Sequence, residues 1–302
     1  MTDQKRFSYM LSLLPEEIRA AASAAVRTGA AIDELRIRKD NPLMVTVGGK
    51  SLFLSKNGAI SYMPDSPLIC DEALIKRTYM GLCENSVFAH GQEINEGYIA
   101  VSGGFRAGVC GDFSSGGVAN ITSLNLRVAR GVDGCASEVA AAFCGGMLIA
   151  GPPGCGKTTV LRDLIKTLSK RGMRISVIDS RREISGGERQ YRFDLGTNTD
   201  VMYISDKAKG AIMALRTMFP QVIAFDEIGT RAEVQSVLEA FNSGAYIITT
   251  AHAASLSELK ARPVTKELIA SGVLSTVAVM GKAPGEGIKI HGIGEVCGEE
   301  HF

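Results

Sequence analysis

The chain has 302 residues, and its 33 basic and 32 acidic residues leave a net charge of +1. A balance this even argues against a protein whose main task is to bind a polyanion, so no nucleic-acid partner is expected. The seven cysteines include no C-x-x-C pair, which argues against a disulfide framework or a zinc site and favours a reducing cytoplasm. No run approaches the roughly 18 apolar residues of a membrane span, so any membrane association is expected to be peripheral.

The first half of the chain mixes helical and strand-like patterns. Apolar residues at helical spacing predict helices over 7–28 and 71–83. Alternation of apolar and polar residues, broken by glycines, predicts short strands within 33–55 and 97–130. Pro15 suits the first turn of a helix. We therefore predict a smaller α+β N-terminal domain over residues 1–135.

After Gly134 the pattern changes, because continuous apolar strands alternate with helices. The predicted strands are 147–150, 174–179, 221–227 and 245–252, and the helices begin at 157, near 206 and at 230. Such strands predict an α/β domain over 136–302 with a parallel sheet covered on both faces. Two further runs, 275–280 and 288–296, are predicted to be edge strands.

The stretch GPPGCGKT, residues 151–158, fills every fixed position of the G-x-x-x-x-G-K-[ST] phosphate loop. It follows a predicted strand and opens a predicted helix, which is the context that the motif requires. The expected nucleotide-binding residues are Gly151, Pro152, Pro153, Gly154, Cys155, Gly156, Lys157, Thr158 and Thr159. The Lys157 ammonium would bridge the β- and γ-phosphates, and the Thr158 hydroxyl would ligate Mg²⁺.

A second acidic element follows about 70 residues later, in the apolar strand VIAFDE, residues 222–227. Asp226, at the end of this strand, is predicted to hold Mg²⁺ through water. Glu227 would then lie near the γ-phosphate and could polarise an attacking water molecule.

The order of the predicted strands is typical of RecA-like P-loop ATPases. Along the chain, one strand is inserted between the phosphate-loop strand and the Asp-Glu strand. The fourth strand, which ends in His252, would lie in the sheet between the phosphate-loop strand and the Asp-Glu strand. His252 would then reach the γ-phosphate region, since ligands bind at the carboxyl ends of parallel strands. The chain has no N/T-K-x-D motif for guanine, which favours ATP as the nucleotide.

The charged stretch DSRREI, residues 179–184, ends the inserted strand. Asp179 and Glu183 could orient water or metal, and Arg181 and Arg182 could pair with acids across an interface. A solvated charged turn is the alternative interpretation of the same residues.

Several stretches together are more specific than the phosphate loop alone. They are GFRAGVCG (104–111), ITSLNLRVARG (121–131), GPPGCGKTTVLRDL (151–164), DSRREI (179–184), FDLGTNTDV (193–201), PQVIAFDEIG (220–229) and TTAHAASLSELKARP (249–263). Their combination resembles the stage III sporulation AA family of secretion-type ATPases and, more distantly, type II and type IV secretion ATPases and pilus motors. The chain departs from that pattern at Ser180, where the family commonly has Glu, and at Asn198, where it usually has Arg.

The resemblance implies a hexameric ATPase in which an N-terminal domain packs on the ATPase domain of a neighbour. By position, Arg127 and Arg130 match the arginines that complete the nucleotide site, with Arg106 a weaker candidate and Arg231 another. A guanidinium is suited to spread γ-phosphate charge, and such a finger can contribute about 10³–10⁵ in rate.

The resemblance also implies a cellular place. The protein is expected in the mother-cell cytoplasm, held peripherally against the outer forespore membrane by its partners. Those partners would be integral membrane proteins of the sporulation channel, the other stage III sporulation proteins of the same operon. ATP hydrolysis would energise this channel during endospore formation.

Three hypotheses for the function follow from these observations. The first is a motor ATPase that couples ATP hydrolysis to motion between the two domains. The second is a RecA-like ATPase stimulated by nucleic acid, against which the near-neutral charge and the absence of tryptophan stand. The third is an ATP-binding scaffold without turnover, against which the intact Lys157, Thr158, Asp226 and Glu227 stand.

Overall fold

The computed structural model of the chain describes residues 3–114, 117–187 and 191–297. Contacts divide the chain into two compact units, one of residues 1–130 with 186–192 and the other of residues 131–185 with 193–302. The first unit thus takes up a short segment from the second half of the chain, which the sequence does not indicate. The boundary of folding domains at residue 135 stays a prediction.

The first unit consists of helices and a sheet of antiparallel strands. Its elements are α1 (Asp3–Ser12), α2 (Glu16–Arg27), β1 (Ile32–Arg38), β2 (Asn41–Pro42), β3 (Met44–Val47), β4 (Lys50–Leu54), β5 (Ile60–Ser61), β6 (Ile69–Cys70), α3 (Glu72–Leu82), a 3₁₀-helix (Val87–His90), α4 (Gly91–Asn95), β7 (Tyr98–Val101), β8 (Phe105–Ser114) and β9 (Gly117–Arg127). Seven strands pair in the order β5-β4-β3-β1-β9-β8-β7, and β2 pairs with β6.

The helical interpretation of residues 7–28 is confirmed, and the region consists of two helices, α1 and α2. Pro15 stands at the N-cap of α2 with φ −53° and ψ 149°. Proline has no N–H to donate and disfavours helical geometry in the residue before it, so the chain breaks there.

Alternation along the strands gives the sheet of the first unit one buried face and one polar face. On β1, Leu35 and Ile37 are fully buried in the core. Glu34 and Arg36 point to the opposite face, because successive side chains of a strand alternate. Arg127 lies on that polar face as well, since its register partners are Glu34 and Arg106.

The second unit is an α/β unit built on a mixed, mostly parallel sheet. Its elements are α5 (Ser137–Ala141), β10 (Met147–Gly151), α6 (Lys157–Lys170), β11 (Ile175–Ile178), β12 (Thr199–Met202), α7 (Lys207–Met218), β13 (Val222–Phe225), α8 (Arg231–Asn242), β14 (Tyr246–His252), α9 (Leu256–Ala261), α10 (Pro263–Ala270), β15 (Thr276–Met280), β16 (Ile288–Gly292) and α11 (Ile293–Cys297). The strand order is β12-β11-β13-β14-β10-β15-β16.

The predicted position of the His252 strand is confirmed, because β14 lies between β10 and β13. The prediction of two edge strands in the C-terminal part was wrong for β15, which pairs with both β10 and β16. All five residues of β15 are buried, as expected of an interior strand. Of the two runs, β16 does lie at an edge of the sheet, and it runs antiparallel to β15.

The register of the parallel strands brings three chain segments to one edge of the sheet. Gly151, the last residue of β10, is the register partner of His252 on β14. Phe225, at the end of β13, is the partner of Thr249 on the same strand. The phosphate loop, the Asp-Glu pair and His252 therefore meet at the carboxyl ends of neighbouring strands.

Among the helices of the described residues, none is long and apolar enough to cross a membrane.

Candidate functional site

The phosphate loop has the backbone that its glycines predict. Gly154 has φ +78° and Gly156 has φ +98°, both in the left-handed region where a side chain is strained. Gly156 is the N-cap of α6, and no side chain caps this helix start. The N–H groups of the first turn of α6, together with the positive end of the helix dipole, thus form an anion-binding position.

Lys157 is mostly buried, and its ammonium group uses its full donor capacity inside the site. Nζ donates to the carbonyl oxygens of Gly151 and Pro152 at 2.9 Å each and to His252 Nδ1 at 3.0 Å. Burial lowers the pKa of Lys157, because a desolvated ammonium is less stable than a solvated one. The lysine is therefore held ready at the loop by partners that a phosphate could replace.

Thr158 and Asp226, the two predicted metal ligands, are neighbours. The Thr158 hydroxyl donates to Asp226 Oδ2 at 3.2 Å. The other carboxylate oxygen, Oδ1, accepts a hydrogen bond of 2.6 Å from the Thr250 hydroxyl. A hydroxyl and a carboxylate side by side supply the oxygen ligands that Mg²⁺ prefers.

Glu227 has a backbone conformation that is rare for a residue with a side chain, with φ +23°. Its N–H donates to Asp226 Oδ1 and to Thr250 Oγ1, both at 3.1 Å. Its carbonyl oxygen accepts a hydrogen bond from Lys207 Nζ. These bonds on both sides hold the peptide in its strained form and aim the carboxylate at the site.

His252 lies between Lys157 and Glu227. An ammonium can only donate, so Nδ1 of the imidazole accepts from Lys157 and the ring proton is on Nε2. Nε2 lies 3.3 Å from Glu227 Oε2. Both side chains are accessible, with 38% and 39% of their surfaces exposed. Lys157, His252 and Glu227 thus form a continuous series of polar contacts from the phosphate loop to the end of β13.

Asp179 is occupied in shaping the loop that follows β11. Its Oδ1 accepts from the Ile184 N–H at 3.1 Å, and its Oδ2 accepts from the N–H and hydroxyl of Ser185 at 2.7 Å each. Burial raises the pKa of Asp179 although these hydrogen bonds oppose the shift. The carboxylate thus acts as an anchor for residues 180–185, instead of the water- or metal-orienting role considered from the sequence.

The four candidate arginines have different surroundings. Arg127 is exposed on the polar face of the first sheet. Arg130 donates to the Ile32 carbonyl at 2.8 Å and lies 3.2 Å from Asp33. The remaining two are Arg106, stacked 4.2 Å from the centroid of the Tyr98 ring, and Arg231, 3.8 Å from Glu267.

The remaining loop residues differ in burial. Cys155 is fully buried, 4.0 Å from Met280 Sδ, whereas Pro153 is exposed and Pro152 and Thr159 are half-buried. Across residues 3–114, 117–187 and 191–297, no group of three or more His, Cys, Asp or Glu side chains is arranged to hold a metal ion.

Sequence reasoning missed two residues that organise the site, Thr250 and Lys207. Thr250 stands in the quoted motif TTAH, and its place at the end of a central strand was the available signal. Lys207 lies 20 residues before Glu227, and no local pattern connects the two positions.

Comparison with solved structures shows which proteins share this fold. The chain is similar to the structure of the ATPase DotB of Legionella pneumophila, with a TM-score of 0.59 and 15% identity over 88% of this chain and 76% of that one. It is also similar to the pilus retraction motor PilT with bound ADP, with a TM-score of 0.57 and 20% identity over 89% and 79%. The chain therefore shares its fold with these two proteins.

Sequence comparison gives the family. The model of the family described as "Sporulation stage III, protein AA" matches residues 4–300, and the chain belongs to that family. Stage III sporulation protein AA of Bacillus subtilis (strain 168) is 32% identical over 293 residues, which cover 91% of each chain. The resemblance stated from the motifs is therefore confirmed.

Proposed function

We propose that this chain is a Mg²⁺-dependent ATPase and the motor subunit of a sporulation channel or secretion complex. One observation carries the proposal. The phosphate loop at the start of α6, the Thr158–Asp226 pair and Glu227 meet at one edge of the sheet, with the hydroxyl and carboxylate 3.2 Å apart. Membership of the sporulation family supports the biological setting.

The residues present fit a nucleoside triphosphate with Mg²⁺. The uncapped N–H groups at the start of α6 and the Lys157 ammonium match phosphate oxygens in charge and in donor capacity. A Cβ built on Gly154 would meet no atom within 4 Å, so there is open space beside this residue of the loop. Thr158 and Asp226 would hold the metal ion, which when bound neutralises charge on the β- and γ-phosphates.

Glu227 would act on the attacking water. Its carboxylate accepts a proton from the water as the oxygen forms a bond to the γ-phosphorus, and the bond from that phosphorus to the bridging oxygen of ADP breaks. The products are ADP and phosphate. The hydrogen bonds to the N–H and carbonyl of Glu227 keep the carboxylate in place, so little reorganisation is needed during the reaction.

Lys157 and His252 would respond to the nucleotide together. All three ammonium donors of Lys157 already have partners, so contact with phosphate must replace at least one of them. If the His252 bond is the one replaced, Nδ1 becomes free while Nε2 still faces Glu227. His252 would in this way report the occupancy of the phosphate loop to the residue that acts on water.

Assembly into a homo-oligomer, a hexameric ring, would complete the site. The exposed position of Arg127 leaves its guanidinium available to a γ-phosphate bound by a neighbouring subunit. Arg130 is engaged with Ile32 and Asp33, and an intermolecular role would require it to leave both. We therefore favour Arg127 as the arginine finger and Arg130 as its support.

The cellular partners belong to the same proposal. The ring would act in the mother-cell cytoplasm, held against the outer forespore membrane by integral membrane proteins of the sporulation channel. It would convert ATP hydrolysis into motion between the N-terminal and ATPase parts of each subunit.

The test is ATP hydrolysis by the purified wild type and by Glu227→Gln, with molecular mass measured with and without ATP. Glu239→Gln, the same chemical change at an exposed position of α8, is the matched control. We expect Mg²⁺-dependent turnover in the wild type and the control, and ATP binding with a loss of about 10²–10⁴-fold in turnover in Glu227→Gln. A mass of six subunits with ATP would support the ring.

Two outcomes would contradict the proposal. If Glu227→Gln hydrolyses ATP as fast as the wild type, Glu227 does not act on water. If the wild type binds ATP but does not hydrolyse it at any protein concentration, the scaffold hypothesis is favoured over the motor.

A further inference from the structure

Thr250 contacts both acidic residues at the strand end. Its side chain is fully buried, and its hydroxyl donates to Asp226 Oδ1 at 2.6 Å while it accepts from the Glu227 N–H at 3.1 Å. We propose that Thr250 is a positioning residue of the hydrolytic site, a role that rests on the proposed ATPase function. It sets the orientation of Asp226 and the backbone of Glu227 with a single hydroxyl group.

The orientation of the Asp226 carboxylate follows from these hydrogen bonds. A hydroxyl has one proton to donate, and Thr250 gives it to Oδ1. Oδ1 also accepts from the Glu227 N–H. Oδ2 is the oxygen that faces Thr158 at 3.2 Å. Thr250 thereby directs one oxygen of the carboxylate toward the position where Mg²⁺ would be held.

The backbone of Glu227 depends on the same hydroxyl. A φ of +23° is unfavourable for a residue with a side chain, so hydrogen bonds must hold it. Thr250 accepts from the N–H of this residue, and Lys207 donates to its carbonyl. Without the hydroxyl, the peptide can relax, and the carboxylate moves from its place beside His252.

The adjacent residue is a natural control. Thr249 is also fully buried on β14, but its hydroxyl has no hydrogen-bond partner among the described residues. Successive side chains of a strand point to opposite faces of the sheet, so Thr249 is directed away from Asp226 and Glu227. Replacement of each threonine by valine makes the same chemical change at neighbouring positions with opposite consequences.

The experiment compares Thr250→Val, Thr250→Ser and Thr249→Val with the wild type. A fluorescent ATP analogue measures nucleotide affinity in EDTA and in Mg²⁺, and hydrolysis and thermal unfolding are followed separately. For Thr250→Val we expect affinity in EDTA within about threefold of the wild type. We also expect loss of about 10–100-fold in the Mg²⁺-dependent gain of affinity and in turnover, the usual effect of removing a group that orients a metal ligand.

The other two variants separate positioning from packing. Thr250→Ser retains the hydroxyl and should restore both the Mg²⁺-dependent gain and turnover to within about fivefold of the wild type. Thr249→Val loses a hydroxyl without a partner and should match the wild type in affinity and turnover. Its melting temperature should be unchanged or higher, because no hydrogen bond is lost.

The results that overturn the inference are distinct from those that overturn the proposed function. A wild type that binds no nucleotide in either buffer rejects the ATPase proposal and this inference with it. A wild type with a Mg²⁺-dependent gain that Thr250→Val shares, or that Thr250→Ser fails to restore, rejects the positioning role alone. Thr250→Val could also lower the melting temperature and weaken nucleotide binding as much in EDTA as in Mg²⁺. That result would show a purely structural threonine and would reject the positioning role.

Discussion

Replacement of Gly151 by alanine tests the packing of the phosphate loop. A Cβ at this position would lie 2.5 Å from Cys155 Sγ and 3.1 Å from Met280 Cβ. Cys155 is fully buried and Met280 Cβ is fixed to the backbone of β15, so neither atom can move cheaply. Overpacking of this kind costs about 1–3 kcal/mol.

The expected result is a lower melting temperature and weaker nucleotide binding. For a unit of this size, 1 kcal/mol corresponds to about 2–4 °C, so Gly151→Ala should lower the melting temperature by about 2–12 °C. Differential scanning calorimetry measures this change. Titration with an ATP analogue follows the loop itself, whose N–H groups would be displaced with Cys155.

A second substitution makes the test specific. Cys155→Ala removes the atom at 2.5 Å, so the double variant should recover at least about 1 kcal/mol relative to additive effects. Gly154→Ala is the matched control, because a Cβ there meets no atom within 4 Å and only its φ of +78° is unfavourable. Its cost of about 1–2 kcal/mol should not change when Cys155 is replaced. A Gly151→Ala protein that melts like the wild type, or is not rescued by Cys155→Ala, would refute the argument.

Two further predictions concern buried charges. Because burial lowers the pKa of Lys157 from 10.5 and only the ammonium attracts phosphate, ATP affinity should be full below the lowered pKa. The affinity should fall as the pH rises through this pKa, which a titration of ATP affinity toward pH 10.5, the ordinary pKa of a lysine, would measure. Asp179→Ala removes the acceptor of the Ile184 and Ser185 N–H groups and should lower the free energy of unfolding in urea by about 2–4 kcal/mol. The free energy of unfolding of Asp179→Asn should lie between those of the wild type and Asp179→Ala.

Each of these has a clear contrary result. ATP affinity that stays constant up to pH 10.5 would mean that the pKa of Lys157 is not lowered in the free protein. If Asp179→Ala and the wild type have the same free energy of unfolding, the buried N–H groups find other partners.

Contiguous features of the site could be predicted from the sequence. The glycines at 154 and 156 predict a left-handed backbone, and the helix begins at Lys157 as the motif requires. The apolar run before Asp226 predicts a buried strand, which is β13. These features depend on conformational preferences and burial of neighbouring residues, which the order of amino acids encodes directly.

Features that join distant residues could not be predicted in the same way. An apolar run such as β15 has the same pattern whether it lies at an edge or inside a sheet, so the sequence did not identify its two neighbours. The sequence likewise has no local pattern which indicates that residues 186–192 belong to the first unit. Only competition among all strands and surfaces for burial decides such placements.

The amino-acid sequence by itself determined that this protein has a phosphate loop, an acidic strand end and a family pattern, because each depends on residues close together in the chain. Only the tertiary structure decided which side chains hold these parts in register. Thr250 reaches Asp226 across 24 positions because β14 lies beside β13 in the sheet. Lys207 reaches Glu227 across 20 positions because α7 packs against β13.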